Sequence, residues 1–208
     1  MFYAQRKEDI KLIDLFGGDS KRDGFYIDVG AWEPTLDSVT KHFYDRGWSG
    51  INIEPNPTYF AKLQAERPLD INLEAAASDS CGIKSFYAMQ GSGLSTFVKE
   101  YADKFAAQYP AETIQVTALT LKRVCEIYVP KGTEIDFLKI DVEGHEREVI
   151  AGADWANYRP RILCIEATEP GTDTPAWDGW DYLVIAAGYD FIEFDGLNRW
   201  YRRNDQSS

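Results

Sequence analysis

Sulfur, positive charge and long apolar runs are what this 208-residue chain has little of. Cysteine occurs three times (Cys81, Cys125, Cys164), an odd number without CxxC spacing. That argues against a disulfide framework or a structural zinc site, and for a reducing compartment. Lys and Arg total 22 against 34 Asp and Glu, a net charge of −12. Phosphate backbones and anionic lipid repel such a surface, so no nucleic-acid partner and no membrane insertion are expected. No stretch approaches the ~18 consecutive apolar residues of a bilayer span. The opening, MFYAQRKEDIKL, lacks both an apolar signal core and a small-residue cleavage site, so the expected location is the cytoplasm. No linker, repeat or low-complexity stretch interrupts the chain, which reads as one domain over 1–208, with an N-terminal helical segment (1–20) and a frayed tail (203–208).

Core-forming residues, by contrast, are plentiful: 44% of residues are hydrophobic and 14% aromatic, which excludes disorder. Apolar runs and helix-like stretches alternate almost to the end. Strands are expected at 24–30, 48–54, 69–76, 135–141 and 161–167, with further β-like elements at 83–89 and 113–119. Helices are expected at 35–47, at 58–68 with Thr58 as cap, and around 97–107. Others are expected at 119–127, at 143–153 with acids in the first turn, and at 177–188. Segments 189–194 and 198–202, around Asp195-Gly196, read as a closing antiparallel hairpin at or near a sheet edge. Strands separated by helices need crossover connections, so the fold class is α/β with a mostly parallel sheet.

In such a sheet, ligands bind beyond the carboxyl ends of the strands, where strand order reverses. Asp28-Val29-Gly30, Glu54, Ala76 to Asp79, Asp141 and Glu166 fall at those ends. Acids gathered there repel one another, so the site expects a cation: a cationic cofactor, a metal, or both. Gly30 suits a sharp turn and the close approach of a ligand. Glu54, 24 residues later, stands where an acid accepts hydrogen bonds from an adenosine ribose. A pyrophosphate would need G-x-G-x-x-G, but Ala31-Trp32-Glu33-Pro34 follows Gly30, and Glu33 opposes such a group. An adenosine carrying a cation and no phosphate fits this pattern, and S-adenosylmethionine has that chemistry.

The blocks DVGAWEPTLDSVTKHFYDRGWSGINIEPNP, EAAASD, GLST, DFLKIDVEGHE, IEATEP and DGLNRWY resemble the FkbM-type S-adenosylmethionine-dependent methyltransferases. YAQRKEDIKL is similar to that family's N-terminal stretch, with Ala4 where Ser is usual, and the resemblance runs from about Tyr3 to Tyr201. It implies a class I methyltransferase (Rossmann-like) fold, a seven-stranded sheet with one antiparallel strand and helices on both faces. It also implies O-methylation of sugars in bacterial polysaccharides or of secondary metabolites. A glycan-assembly enzyme is then a natural associate or fusion partner. Pro175-Ala176-Trp177 departs from relatives that carry His ahead of the tryptophan segment, so acceptor identity transfers least.

Each candidate has a plainer alternative. Asp28 and Gly30 are either cofactor contacts or a tight strand-to-helix turn. Glu54, beside Asn56, is favoured as the ribose acid over a surface acid before a proline turn. Ala76 leaves room for a flat adenine, with Ser78 or Asp79 near its edge, or only relieves crowding. Asp37 and Ser38 contact cofactor or cap a helix. Asp141 orients the sulfonium end or acts on the acceptor, and Glu166 follows the same logic. Glu143 is a first-turn helix acid in which dipole compensation competes with catalysis. His145 is a candidate general base, although a helix histidine without that role is the preferred account. His42 is assigned to packing. Trp177 and Trp180 are core or a stacking wall for a sugar, while Gln5, Glu8 and Asp9 line the pocket or cap a helix.

The expected function is O-methylation of a hydroxyl on a sugar, a glycan or a related small molecule. Alternatives are an N-methyltransferase of an amino sugar or small amine and a non-catalytic module that binds adenosine ligands or a partner. A Mg²⁺ ion between Asp141 and Glu166 is conceivable. The sequence leans against it because no further ligand is clearly placed.

Overall fold

The computed structural model describes residues 1–205. In chain order the elements are α1 (Glu8–Leu15), β1 (Phe25–Val29), α2 (Lys41–Tyr44), β2 (Ser49–Ile53), α3 (Pro57–Glu66), β3 (Ile71–Leu73), β4 (Ala76–Ala77) and β5 (Gly82–Met89). There follow α4 (Lys99–Phe105), β6 (Ala111–Leu119), α5 (Leu121–Tyr128), β7 (Phe137–Ile140), α6 (Glu146–Ala151), β8 (Ile162–Glu166), α7 (Asp181–Ala186), β9 (Tyr189–Phe194) and β10 (Asn198–Arg203). The main sheet has the order β3-β2-β1-β7-β8-β10-β9. Its pairings are parallel except at β10, which runs against both β8 and β9. This is the α/β class I methyltransferase arrangement expected above, with β10 inside the sheet and β9 at its edge.

Both faces of the sheet are covered, and side-chain alternation along the central strands decides which residues serve which face. Phe25, Ile27 and Val29 of β1 join Leu138, Ile140, Leu163 and Ile165 in one core, packed by Val124 of α5, Val149 of α6 and Val184 of α7. Tyr26, Phe137, Ile162, Cys164 and Trp200 point the other way, onto Leu12 of α1 and Phe43 of α2. The three cysteines are free, with Cys125 and Cys164 buried and Cys81 exposed. Among the described residues, no helix is long and apolar enough to cross a membrane.

Several local expectations are corrected. Segment 69–76 splits: β3 joins the main sheet, while β4 pairs with β6 in a second sheet of order β4-β6-β5. The helix expected over 35–47 shrinks to α2, because Asp37 sits in the left-handed region at φ 53° and bridges Ala4. The cap of α3 is Asn56, whose side chain accepts from the Thr58 amide, with Pro57 opening the first turn. Pro57 has no N–H to lose there, so the sequence Asn-Pro starts the helix two residues earlier than Thr58 would. The helix expected from 143 starts at Glu146, since Glu143 and Gly144 are both left-handed (φ 55° and 93°). The frayed tail was placed from 203, but Arg203 ends β10 and pairs with Glu134 at 3.1 Å. Residues 206–208 lie outside those described.

Candidate functional site

Strand order reverses between β1 and β7, and a cavity of about 240 Å³ opens there beyond the carboxyl ends of the strands. The small sheet and the 93–97 loop roof it with Phe86, Leu94 and Phe97, and Gln5 and Glu8 reach it from the N-terminal side. Asp28, Gly30, Asp37, Ser38, Glu54, Ala76 and Asp141 all line it. With Gln5, Glu8 and Glu143, ten of the sequence candidates therefore share one concave space, drawn from five separated stretches of chain.

At its floor is a residue that sequence reasoning missed. Register places Lys139 of β7 directly beside Asp28 of β1 on the same face. The Lys139 Nζ donates to the Gly30 carbonyl at 2.8 Å, and lies 3.4 Å from Asp28 Oδ1 and 3.3 Å from Asp141 Oδ2. Burial disfavours its ammonium, but Asp141 and Asp28 outweigh that and raise its pKa, so Lys139 is charged. The positive charge expected of a ligand is thus partly built in. Asp28 Oδ2 accepts from the Thr40 hydroxyl at 3.1 Å. A charged residue inside the apolar run DFLKI was the only available signal.

Gly30 has φ 76°, and a Cβ there would lie 1.8 Å from the Asp141 carbonyl oxygen. The glycine is needed because β1 and β7 end against each other. Gly30 also lines the cavity, so the turn and the close packing of its own chain both demand a glycine at this wall. Glu54 is buried, its Oε1 accepting from the Asn56 amide at 2.7 Å and Oε2 from the Trp32 amide at 2.9 Å. Burial pushes its pKa up to about 7, against the two amides and Lys139, with Asp28 adding to the rise. The buried Trp32 Nε1 and Asp28 Oδ1 have no hydrogen-bond partner, and both residues line the cavity. Asp28 Oδ1 faces the Lys139 ammonium at 3.4 Å, so the Trp32 donor is the group left for a polar ligand.

At the other end, Asp141, Glu143 and Glu166 bring carboxylate oxygens within 4.8 Å of one another. Asp141 and Glu143 face the cavity; Glu166 is buried and is not among the lining residues. Burial and the surrounding acids push both Glu143 and Glu166 well above the usual carboxylate range. Glu146 accepts from the Val142 and Gly144 amides at 3.1 and 3.2 Å, closing the turn that carries Glu143. The expectation of Glu143 as a first-turn helix acid is corrected: it precedes α6 and points into the site.

The remaining candidates lie elsewhere. His145 bonds through Nε2 to Ser78 Oγ at 3.0 Å and packs on Phe97, outside the cavity lining. Burial lowers its pKa against the pull of Glu148. Ser78 and the exposed Asp79 are taken up by Lys84, at 2.7 and 3.0 Å. Asn56 is the cap of α3 and buttresses Glu54 from behind. Trp180 is core and Trp177 is covered by Phe194 and Arg199, so neither walls the cavity. Ser38 lines the cavity and also accepts from the Lys41 amide. Asp9 accepts from the Tyr3 amide and lies off the lining. His42 packs beneath Phe2, bonded to the Met1 carbonyl.

A crystal structure of a TehB-like SAM-dependent methyltransferase from Corynebacterium glutamicum covers 95% of this chain and 88% of its own, with TM-score 0.48 and 9% identity. "Methyltransferase sdnD" of Sordaria araneosa is 26% identical over 194 residues, 80% of this chain and 73% of that protein. The model of the methyltransferase FkbM domain matches residues 28–191, a span that holds every strand-end acid of the cavity. The chain belongs to the FkbM methyltransferase family.

Proposed function

We propose that this methyltransferase uses S-adenosylmethionine to methylate a hydroxyl of a sugar, a glycan or a related small molecule. The observation that carries the reading is the cavity at the strand-order reversal. It has a buried acid, Glu54, on the strand beside Gly30, and it has no phosphate-binding glycine loop. When bound, the cofactor supplies a methyl group already activated on a sulfonium, so the protein has chiefly to align two reactants and exclude water. Glu54 accepts from the ribose hydroxyls, and Ala76 and Ala77 leave a flat space beside Phe86 for a base. Lys139 holds Asp28 and Asp141 apart and fixes the turn at Gly30. Asp141 and Glu143, the carboxylates facing the far end, receive the proton that the acceptor hydroxyl loses.

Calorimetric titration with S-adenosylmethionine tests the cofactor assignment. Mass spectrometry of candidate glycans after incubation with labelled cofactor tests the acceptor, the expected result being a gain of one methyl on oxygen. Absence of binding at millimolar cofactor would sink the reading.

A further inference from the structure

Eight carboxylates surround the cavity or back it (Glu8, Asp28, Asp37, Glu54, Asp141, Glu143, Glu146, Glu166), and one ammonium among the lining residues, Lys139, answers them. Three of them leave a buried oxygen with no hydrogen-bond partner: Asp28 Oδ1, Glu143 Oε2 and Glu166 Oε2. Glu166 is only 7% exposed, so water does not solvate it. Glu54 and Glu146, in contrast, each accept two backbone amides. Asp28 Oδ1 faces the Lys139 ammonium at 3.4 Å, whereas Glu143 and Glu166 have no cation that close among the described residues and share a group in which Asp141, Glu143 and Glu166 present oxygens within 4.8 Å of one another.

We propose that Asp141, Glu143 and Glu166 hold one divalent cation at the acceptor end of the cavity. Donor oxygens about 2.1–2.5 Å from a common ion span separations of this size, and an all-carboxylate set selects a hard ion such as Mg²⁺, Mn²⁺ or Ca²⁺. Lys139 reaches Asp141 through Oδ2, which leaves Oδ1 for the ion. Glu166 closes the site from behind, and Asp141 and Glu143 carry it to the cavity wall. Three protein ligands leave further positions open, and those positions face the acceptor. Resting on the methyltransferase reading above, this assigns an acceptor class: molecules with two neighbouring oxygens, such as a vicinal diol of a sugar, which fill two adjacent positions together.

The ion is tested without cofactor or acceptor. Mn²⁺ is titrated into the full chain and free ion is read by electron paramagnetic resonance. One saturable equivalent per chain is expected, displaced by Mg²⁺ and weakened at least tenfold in Glu166→Gln and in Glu143→Gln. Near-UV circular dichroism reports the fold of each variant, and Glu143→Gln, on the cavity side, carries the test if Glu166→Gln does not fold. No saturable equivalent, or one of unchanged affinity in the folded variants, overturns the proposal. Titration of S-adenosylmethionine into the metal-free wild type is a separate reading. Its failure strikes the proposed function and leaves the Mn²⁺ result to decide the ion.

Discussion

At the scale of single residues, Glu54 is the group whose ionisation is coupled to its role. Its folded pKa of about 7 lies above the ordinary 4.5, so the unliganded folded state holds this proton more tightly than the unfolded chain. Its contribution to stability therefore falls as pH rises from 4.5 through about 7. Cofactor binding runs the other way, because ribose hydroxyls donate best to the ionised carboxylate. The dissociation constant for S-adenosylmethionine should be flat above pH 7 and rise by up to about tenfold per unit below it. Asp28 and Lys139 face the same carboxyl, but Glu54→Gln should abolish the slope and weaken binding by about 1.5–3 kcal/mol. Calorimetry between pH 5.5 and 8.5 measures both. A slope that persists in Glu54→Gln would reassign the titrating group.

At the scale of elements, α3 and the segment after it determine how firmly the ribose side is held. Asn56 caps α3 with its side chain and supports Glu54 with its amide. Asn56→Ala removes only the cap, so it should cost about 1 kcal/mol of stability and leave cofactor affinity within threefold. A large loss of affinity would return Asn56 to the binding surface. Just beyond the helix, Arg67 is fully buried. It donates to Asp70 at 3.1 Å, to the Tyr26 hydroxyl at 2.6 Å and to Thr40 at 3.0 Å, while Asp70 accepts from Gly50 and Asn52 at 2.9 Å. Through Thr40 this network reaches Asp28. Arg67→Met takes the cation from the buried Asp70, so urea denaturation should show a loss of about 3–5 kcal/mol. Arg67→Met combined with Asp70→Asn should recover part of it.

Across the whole molecule, the site depends on sheet register. The row Asn52, Asp28, Lys139, Cys164 crosses β2, β1, β7 and β8 on one face, and it brings the cation of one strand to the acid of the next. Lys139→Met keeps the bulk and removes the charge. It strands Asp28, which is 2% exposed, and should cost about 3 kcal/mol of stability together with most of the cofactor affinity. Near-wild-type stability in this variant would show that Lys139 is not what offsets the buried Asp28. The opposite ends of the central strands are tied in a similar way: buried Asp136 accepts from Lys21 at 2.7 Å, from the Phe25 amide at 2.9 Å and from Arg161 at 3.3 Å.

The sequence by itself determined the α/β class, the strand positions near 25, 50, 137 and 162, and the acids at their carboxyl ends. Those features are local: apolar runs too short for helices, closed by Gly or Pro, each ending in a charge that no core tolerates unpaired. Only the tertiary structure decided what those acids meet. Lys139 was hidden because one lysine within an apolar run has no distinguishing local pattern; its partner lies 111 residues away, on the neighbouring strand. His145 is a candidate base by type and spacing, with a helix histidine outside the chemistry the preferred account; the turn at Glu143 and Gly144 aims it at Ser78 and sends Glu143 into the cavity instead. Positive φ at a non-glycine residue is a property of the folded turn, which the chain around it imposes and which residue identity does not announce. Two strands of the small sheet that roofs the site, β5 and β6, are legible as β-like segments, but its separation from the main sheet is not: β4 spans two residues, and its strand character exists only in its pairing with β6.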